Sequence, residues 1–98
     1  MTKYLLEIMN EHNMGTIHDY KLYSNLSKAE EEYHKNLLKF CDENEYDYNL
    51  IIADTEEGAN YRAEYGIYDD DILTNNKIID YIGAPEFAVA LYEVEEEQ

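Results

Sequence analysis

Ser27-Lys28-Ala29-Glu30-Glu31-Glu32-Tyr33-His34-Lys35-Asn36-Leu37-Leu38-Lys39-Phe40-Cys41, residues 27 to 41, is the stretch whose reading decides the fold. Ala29, Tyr33, Leu37 and Cys41 recur every four residues, with Leu26 and Phe40 beside them, so a helix here carries one apolar stripe that must face a core. Ser27 and Glu30 have the spacing of a capping box and set the expected start at Ser27. Glu30, Glu31 and Glu32 then fall near the positive end of the helix dipole and Lys35 and Lys39 toward the negative end. A main helix over about 27–43 is expected.

Outward from it, Tyr4, Leu6 and Ile8 alternate as in a strand, although Tyr4, Leu5, Ile8 and Met9 also fit a helix behind Thr2. The strand is preferred. Asn10 to Gly15 reads as a turn, and Thr16 to Tyr23 alternates as a half-buried strand, so the two form a hairpin. After the helix, Asp42-Glu43-Asn44-Glu45-Tyr46-Asp47 holds four acids in six residues and reads as an exposed loop. Tyr48 to Ala53 is rich in β-branched residues and is expected to be a central strand. Asp54 to Asn60 is expected to turn at Gly58 into another strand from Tyr61 to Tyr68, ended by Asp69-Asp70-Asp71. Asn76 to Ile82 has the outline of a short helix closed by Gly83 with Pro85 beyond. Phe87 to Val94 alternates again, and Glu95 to Gln98 is a tail.

The expected fold class is α+β, one domain over 1–98: an antiparallel sheet of four or five strands with the main helix and a short second helix packed on one face. Counted from Thr16 the order matches the ferredoxin-like arrangement, with residues 3–9 as an added edge element. A simpler antiparallel sheet backed by one helix fits equally well.

Composition bounds the function. With 23 acidic against 7 basic residues the chain has a net charge of −16, yet 45% of it is hydrophobic and it has 11 tyrosines. A disordered acidic tail lacks such aromatics, so the charge decorates a folded globule. Direct nucleic-acid binding is not expected, because phosphate neutralisation needs lysine and arginine and the chain has only 7 basic residues, with Arg62 its single arginine. No apolar run reaches the roughly 18 residues of a membrane span, and anionic lipid would repel the chain. A lone cysteine and the lack of a signal-peptide segment point to the cytoplasm.

The three histidines and Cys41 match no structural zinc spacing, the acidic loops lack the EF-hand register, and phosphate-cradling glycine motifs are absent. The expectation is no metal, no cofactor and no enzymatic activity. A net charge of magnitude about 2 to 8 already keeps a small domain soluble, so the surplus points to a basic partner, with a homodimer left open. The residues expected to meet that partner are Glu30, Glu31, Glu32, Asp42, Glu43, Glu45, Tyr46, Asp47, Tyr68, Asp69, Asp70 and Asp71. In these clusters carboxylates steer encounter and tyrosines anchor the contact.

A small, rigid, acidic globule resembles the antirestriction and anti-CRISPR inhibitors of phages and mobile elements, which occupy a nuclease's nucleic-acid channel. Over its amino-terminal half, Asn13-Met14-Gly15 through Ile52-Ala53-Asp54-Thr55-Glu56 is similar to ArdA-type antirestriction proteins. The strand tryptophan usual in that family is missing. The resemblance implies a nucleic-acid mimic that blocks a host defence nuclease. An immunity protein neutralising a basic nuclease toxin, or a cytosolic protein-interaction domain, accounts for the same composition.

Overall fold

The computed structural model describes residues 2–12, 15–69 and 77–95. Its elements are β1 (Thr2–His12), β2 (Gly15–Tyr23), α1 (Leu26–Glu43), α2 (Tyr48–Ile52), α3 (Glu56–Tyr65), β3 (Tyr68–Asp69), β4 (Ile78–Gly83) and β5 (Phe87–Glu95). One five-stranded sheet runs in the order β2-β1-β5-β4-β3 with every neighbouring pair antiparallel. The class is therefore α+β, a main helix and shorter helices packed on an antiparallel sheet. Of the two arrangements left open by the sequence, the sheet backed by the main helix forms; the ferredoxin-like order does not, because three helices in succession separate β2 from β3.

Period-2 alternation decides which side chains of the sheet meet α1. Tyr4, Leu6 and Ile8 of β1 and Phe87, Val89 and Leu91 of β5 point to one face, where Leu6 pairs with Leu91 and Ile8 with Val89. Ala29, Tyr33, Leu37, Phe40 and Cys41 of α1 bury against them, with Phe40 and Phe87 stacked at 5.2 Å between ring centroids. The expected stripe is thus the core of the molecule, except that Leu26 stays 37% exposed at the first turn. Residues 3–9 are a strand as preferred, but an interior one: β1 lies between β2 and β5, and β2 takes the edge.

The helix is capped two residues earlier than the capping-box reading places it. Asn25, in extended backbone, caps it by accepting from the Lys28 amide at 3.2 Å, and no acid lies in the first turn. Glu30, Glu31 and Glu32 are accordingly past the region where the dipole acts. Asn25→Ala is expected to cost about 1 kcal/mol of stability and Ser27→Ala much less; thermal denaturation of the two variants distinguishes the caps, and equal losses would restore Ser27 to the role.

Three further expectations are overturned. Residues 48–53 are no central strand: Asp47 accepts from the Asn49 and Leu50 amides at 3.0 and 3.3 Å and starts helix α2 instead. Residues 61–68 are no strand until Tyr68, because Thr55 accepts from the Gly58 amide at 3.1 Å and opens α3, which ends at Gly66 in the left-handed conformation, φ 69°. Gly58 is required there, since an added Cβ would lie 2.5 Å from the Ala53 carbonyl oxygen and 2.8 Å from that of Leu50. Residues 78–83 form strand β4 rather than a helix; Gly83 is not left-handed but lies beneath the Tyr81 ring, which covers the place its side chain would fill. The shift of register at Ile78 and Asp80 puts Ile79 in a bulge, directed to the core.

Candidate functional site

Residues 42 to 64 contain eight acidic residues, Asp42, Glu43, Glu45, Asp47, Asp54, Glu56, Glu57 and Glu64, no lysine and one arginine. All eight are exposed. The single cation among them is turned inward: Arg62 Nη1 donates to the carbonyls of Leu50, Ile51 and Ala53 at 3.4, 2.8 and 2.9 Å, and its Nε lies 3.4 Å from Asp69 Oδ2. The guanidinium closes the carboxyl end of α2 and leaves the outer surface of this segment uniformly negative.

A group of tyrosines fixes the segment in place. The Tyr46 hydroxyl donates to both carboxylate oxygens of Glu86, at 3.0 and 2.7 Å, and the Tyr46 ring meets those of Tyr65 and Phe87 at 5.9 and 6.2 Å. Burial first, then the neighbouring Glu86, push the Tyr46 phenol up to about 12. The Asp47 amide donates to the Tyr61 hydroxyl at 2.8 Å, and Tyr61 packs on Tyr65 at 4.6 Å. The loop after α1 is thereby tied to α3. Beside Tyr61, the carboxylates of Glu56, Glu57 and Glu64 share a shallow groove with Leu50 and Asn60.

Glu45 occupies a left-handed position, φ 61°, in the turn where the Tyr46 amide reaches back to the Cys41 carbonyl at 2.9 Å. Glycine adopts that conformation without strain. A carboxylate is held there at a local cost of order 1 kcal/mol.

The expected partner-binding residues separate into groups that do not all meet. Asp42, Glu43, Glu45 and Asp47 lie on the acidic surface. Tyr46 sits among them in sequence but is half-buried, its hydroxyl engaged by Glu86, so it braces the loop rather than standing out as an anchor. Glu31 and Glu32 are about 18 Å along the helix axis from Glu43 at 1.5 Å per residue, and Lys28 lies 3.7 and 3.5 Å from them. Glu30 is half-buried. Asp69 faces Arg62, and Tyr68 stands on the sheet, 56% exposed. Asp70 and Asp71 lie outside the described residues. The acids that sequence reading passed over are Asp54, Glu56, Glu57 and Glu64; the signal for them was Thr55 followed by two glutamates, a helix start that the strand reading of 61–68 hid.

Cys41 has no exposed surface, and burial, then Asp42 and Asp47, push its thiol up to about 11, so it stays protonated and unreactive. His34 is exposed and shares a 3.0 Å hydrogen bond between Nδ1 and the Tyr48 hydroxyl. Among the described residues no group of three or more histidine, cysteine or acidic side chains is placed to hold a metal ion, and no helix is long and apolar enough to cross a membrane. Comparison of the chain with family models, curated proteins and solved structures gives no match.

Proposed function

We propose that this chain is an acidic protein inhibitor that occupies the nucleic-acid-binding channel of a basic nuclease, such as a host defence effector, in place of the nucleic acid. The observation that carries the reading is the exposed, lysine-free run of eight carboxylates between Asp42 and Glu64, whose one arginine is consumed internally. B-DNA carries about one negative charge per 1.7 Å of axis, counting both strands. A competitor for its channel needs carboxylates crowded on rigid backbone, and here two capped helices and a tyrosine-braced loop supply them.

The test is competition against defined DNA-cleaving enzymes of restriction and CRISPR systems. Inhibition of a susceptible enzyme is expected to be relieved by excess duplex and to weaken as NaCl rises. Replacing Glu56, Glu57 and Glu64 together by lysine should slow association about tenfold or more, since loss of outer charges acts mainly on encounter. Glu31→Lys, beside Lys28, should change it little. A stable ternary complex with the nucleic acid seated in its normal channel would rule out the mimic mechanism.

A further inference from the structure

We infer that the face of the sheet turned away from the helices is an interface between two copies of this chain, packed sheet against sheet about a two-fold axis. The same alternation that sends Leu6 and Leu91 to the core sends Leu5, Met9, Tyr20, Leu22, Tyr81 and Tyr92 to the opposite side, and none of these belongs to the cluster beneath α1. Tyr20 and Leu22 remain 60% and 57% exposed. Ala90, on the same side, is only 3% exposed although no helix covers it, because larger neighbours crowd over it. Tyr92 has Glu7, Tyr81 and Tyr20 as its electrostatic neighbours and is itself partly desolvated. These side chains form one continuous surface.

Charge identifies the occupant. The chain carries 23 acidic residues, yet on this face the described side chains include only one, Glu7, together with Lys3 and His18. A basic protein is drawn to the carboxylates on the opposite side of the molecule. A second copy, at −16, is repelled by them, and the acid-poor face is where two such chains meet at least electrostatic cost. Lys3 and Glu7 stand two residues to either side of Leu5 on β1, so a two-fold axis crossing β1 at Leu5 brings unlike charges opposite each other. The extent is also sufficient. Three strands of 9 to 11 residues and the shorter β4 and β3 give, at about 3.3 Å per residue and 4.8 Å between strands, on the order of 600 Å² in plan before side-chain relief. A standard interface buries about 800 Å² per partner, and aligned sheets stack about 10 Å apart. The acidic surfaces then lie on the two outer sides of the dimer, independent of whether they bind a nuclease.

Sedimentation of the whole chain at tens of micromolar tests this. The expected species has twice the 11.6 kDa chain mass, and its dissociation constant falls as NaCl is raised from about 50 to 500 mM, because screening removes repulsion between the copies. Leu22→Glu and, separately, Tyr20→Glu replace side chains already exposed in the single chain. Each is expected to weaken the dimer at least tenfold with an unchanged circular dichroism spectrum, while Glu64→Lys leaves it intact. A single species at the chain mass throughout the concentration and salt range overturns the inference. So does a dimer that survives both substitutions on this face.

Discussion

Leu37→Ala is expected to remove about 2 to 5 kcal/mol of stability, the loss seen when a buried leucine leaves a cavity that its surroundings fill only in part. Leu37 has no exposed surface and lies at the middle of the stripe by which α1 grips the sheet, between Tyr33 and Cys41 and one turn from the stacked Phe40 and Phe87. A domain of this size has about 5 to 15 kcal/mol in total, so the variant should lose a large share of that margin. Urea denaturation followed by far-ultraviolet circular dichroism reads the effect, with a lower midpoint and an unchanged slope. Leu38→Ala is the control: next in sequence but 44% exposed on the outer side of the helix, it should shift stability by about 0.5 kcal/mol or less. Equal losses at the two positions would contradict the orientation of α1.

Arg62→Ala should cost about 2 to 4 kcal/mol, which is unusual for an arginine in a small protein, where ion pairs at the surface are worth about 1 kcal/mol or less. The reason is the backbone it serves. Helix α2 has five residues, too few for internal hydrogen bonds to satisfy its own carbonyls, and Arg62 Nη1 meets three of the oxygens at that end, those of Leu50, Ile51 and Ala53. The side chain is only 13% exposed, so water cannot fully replace it, and each buried acceptor left unmade costs about 1 to 3 kcal/mol. Arg62→Lys should recover less than half of the loss, because one ammonium cannot reproduce the planar fork. Hydrogen exchange of the amides in 48–53, alongside denaturation, separates local opening of α2 from global destabilisation. Stability of Arg62→Ala within about 0.5 kcal/mol of the unaltered chain would show that α2 is held by packing of Ile51 alone.

The sequence by itself determined α1, β2 and β5. Each is long enough for its period to repeat several times: four apolar positions at steps of four from Ala29 to Cys41, and alternation across Thr16 to Tyr23 and across Phe87 to Val94. It also determined that the chain is acidic beyond the needs of solubility. It did not determine residues 48–69 or 78–83. A run such as Leu50-Ile51-Ile52 satisfies a buried strand and a short helix equally well, and the choice is made by a carboxylate before it and a guanidinium ten or so residues after it. Likewise Tyr61, Ala63 and Tyr65 alternate on paper, but Ala63 is exposed, and the contacts that matter run from Gly58 to the backbone of Ala53 and from Tyr61 to Asp47. Gly83 reads as a helix stop until the Tyr81 ring is seen to cover it in the sheet. The same contacts made the acidic surface. Local pattern supplied Asp42 to Asp47, whereas Glu56, Glu57 and Glu64 joined them only because tertiary contacts turned a sequence with the alternation of a strand into a helix, and so placed all three glutamates along one groove with Tyr61.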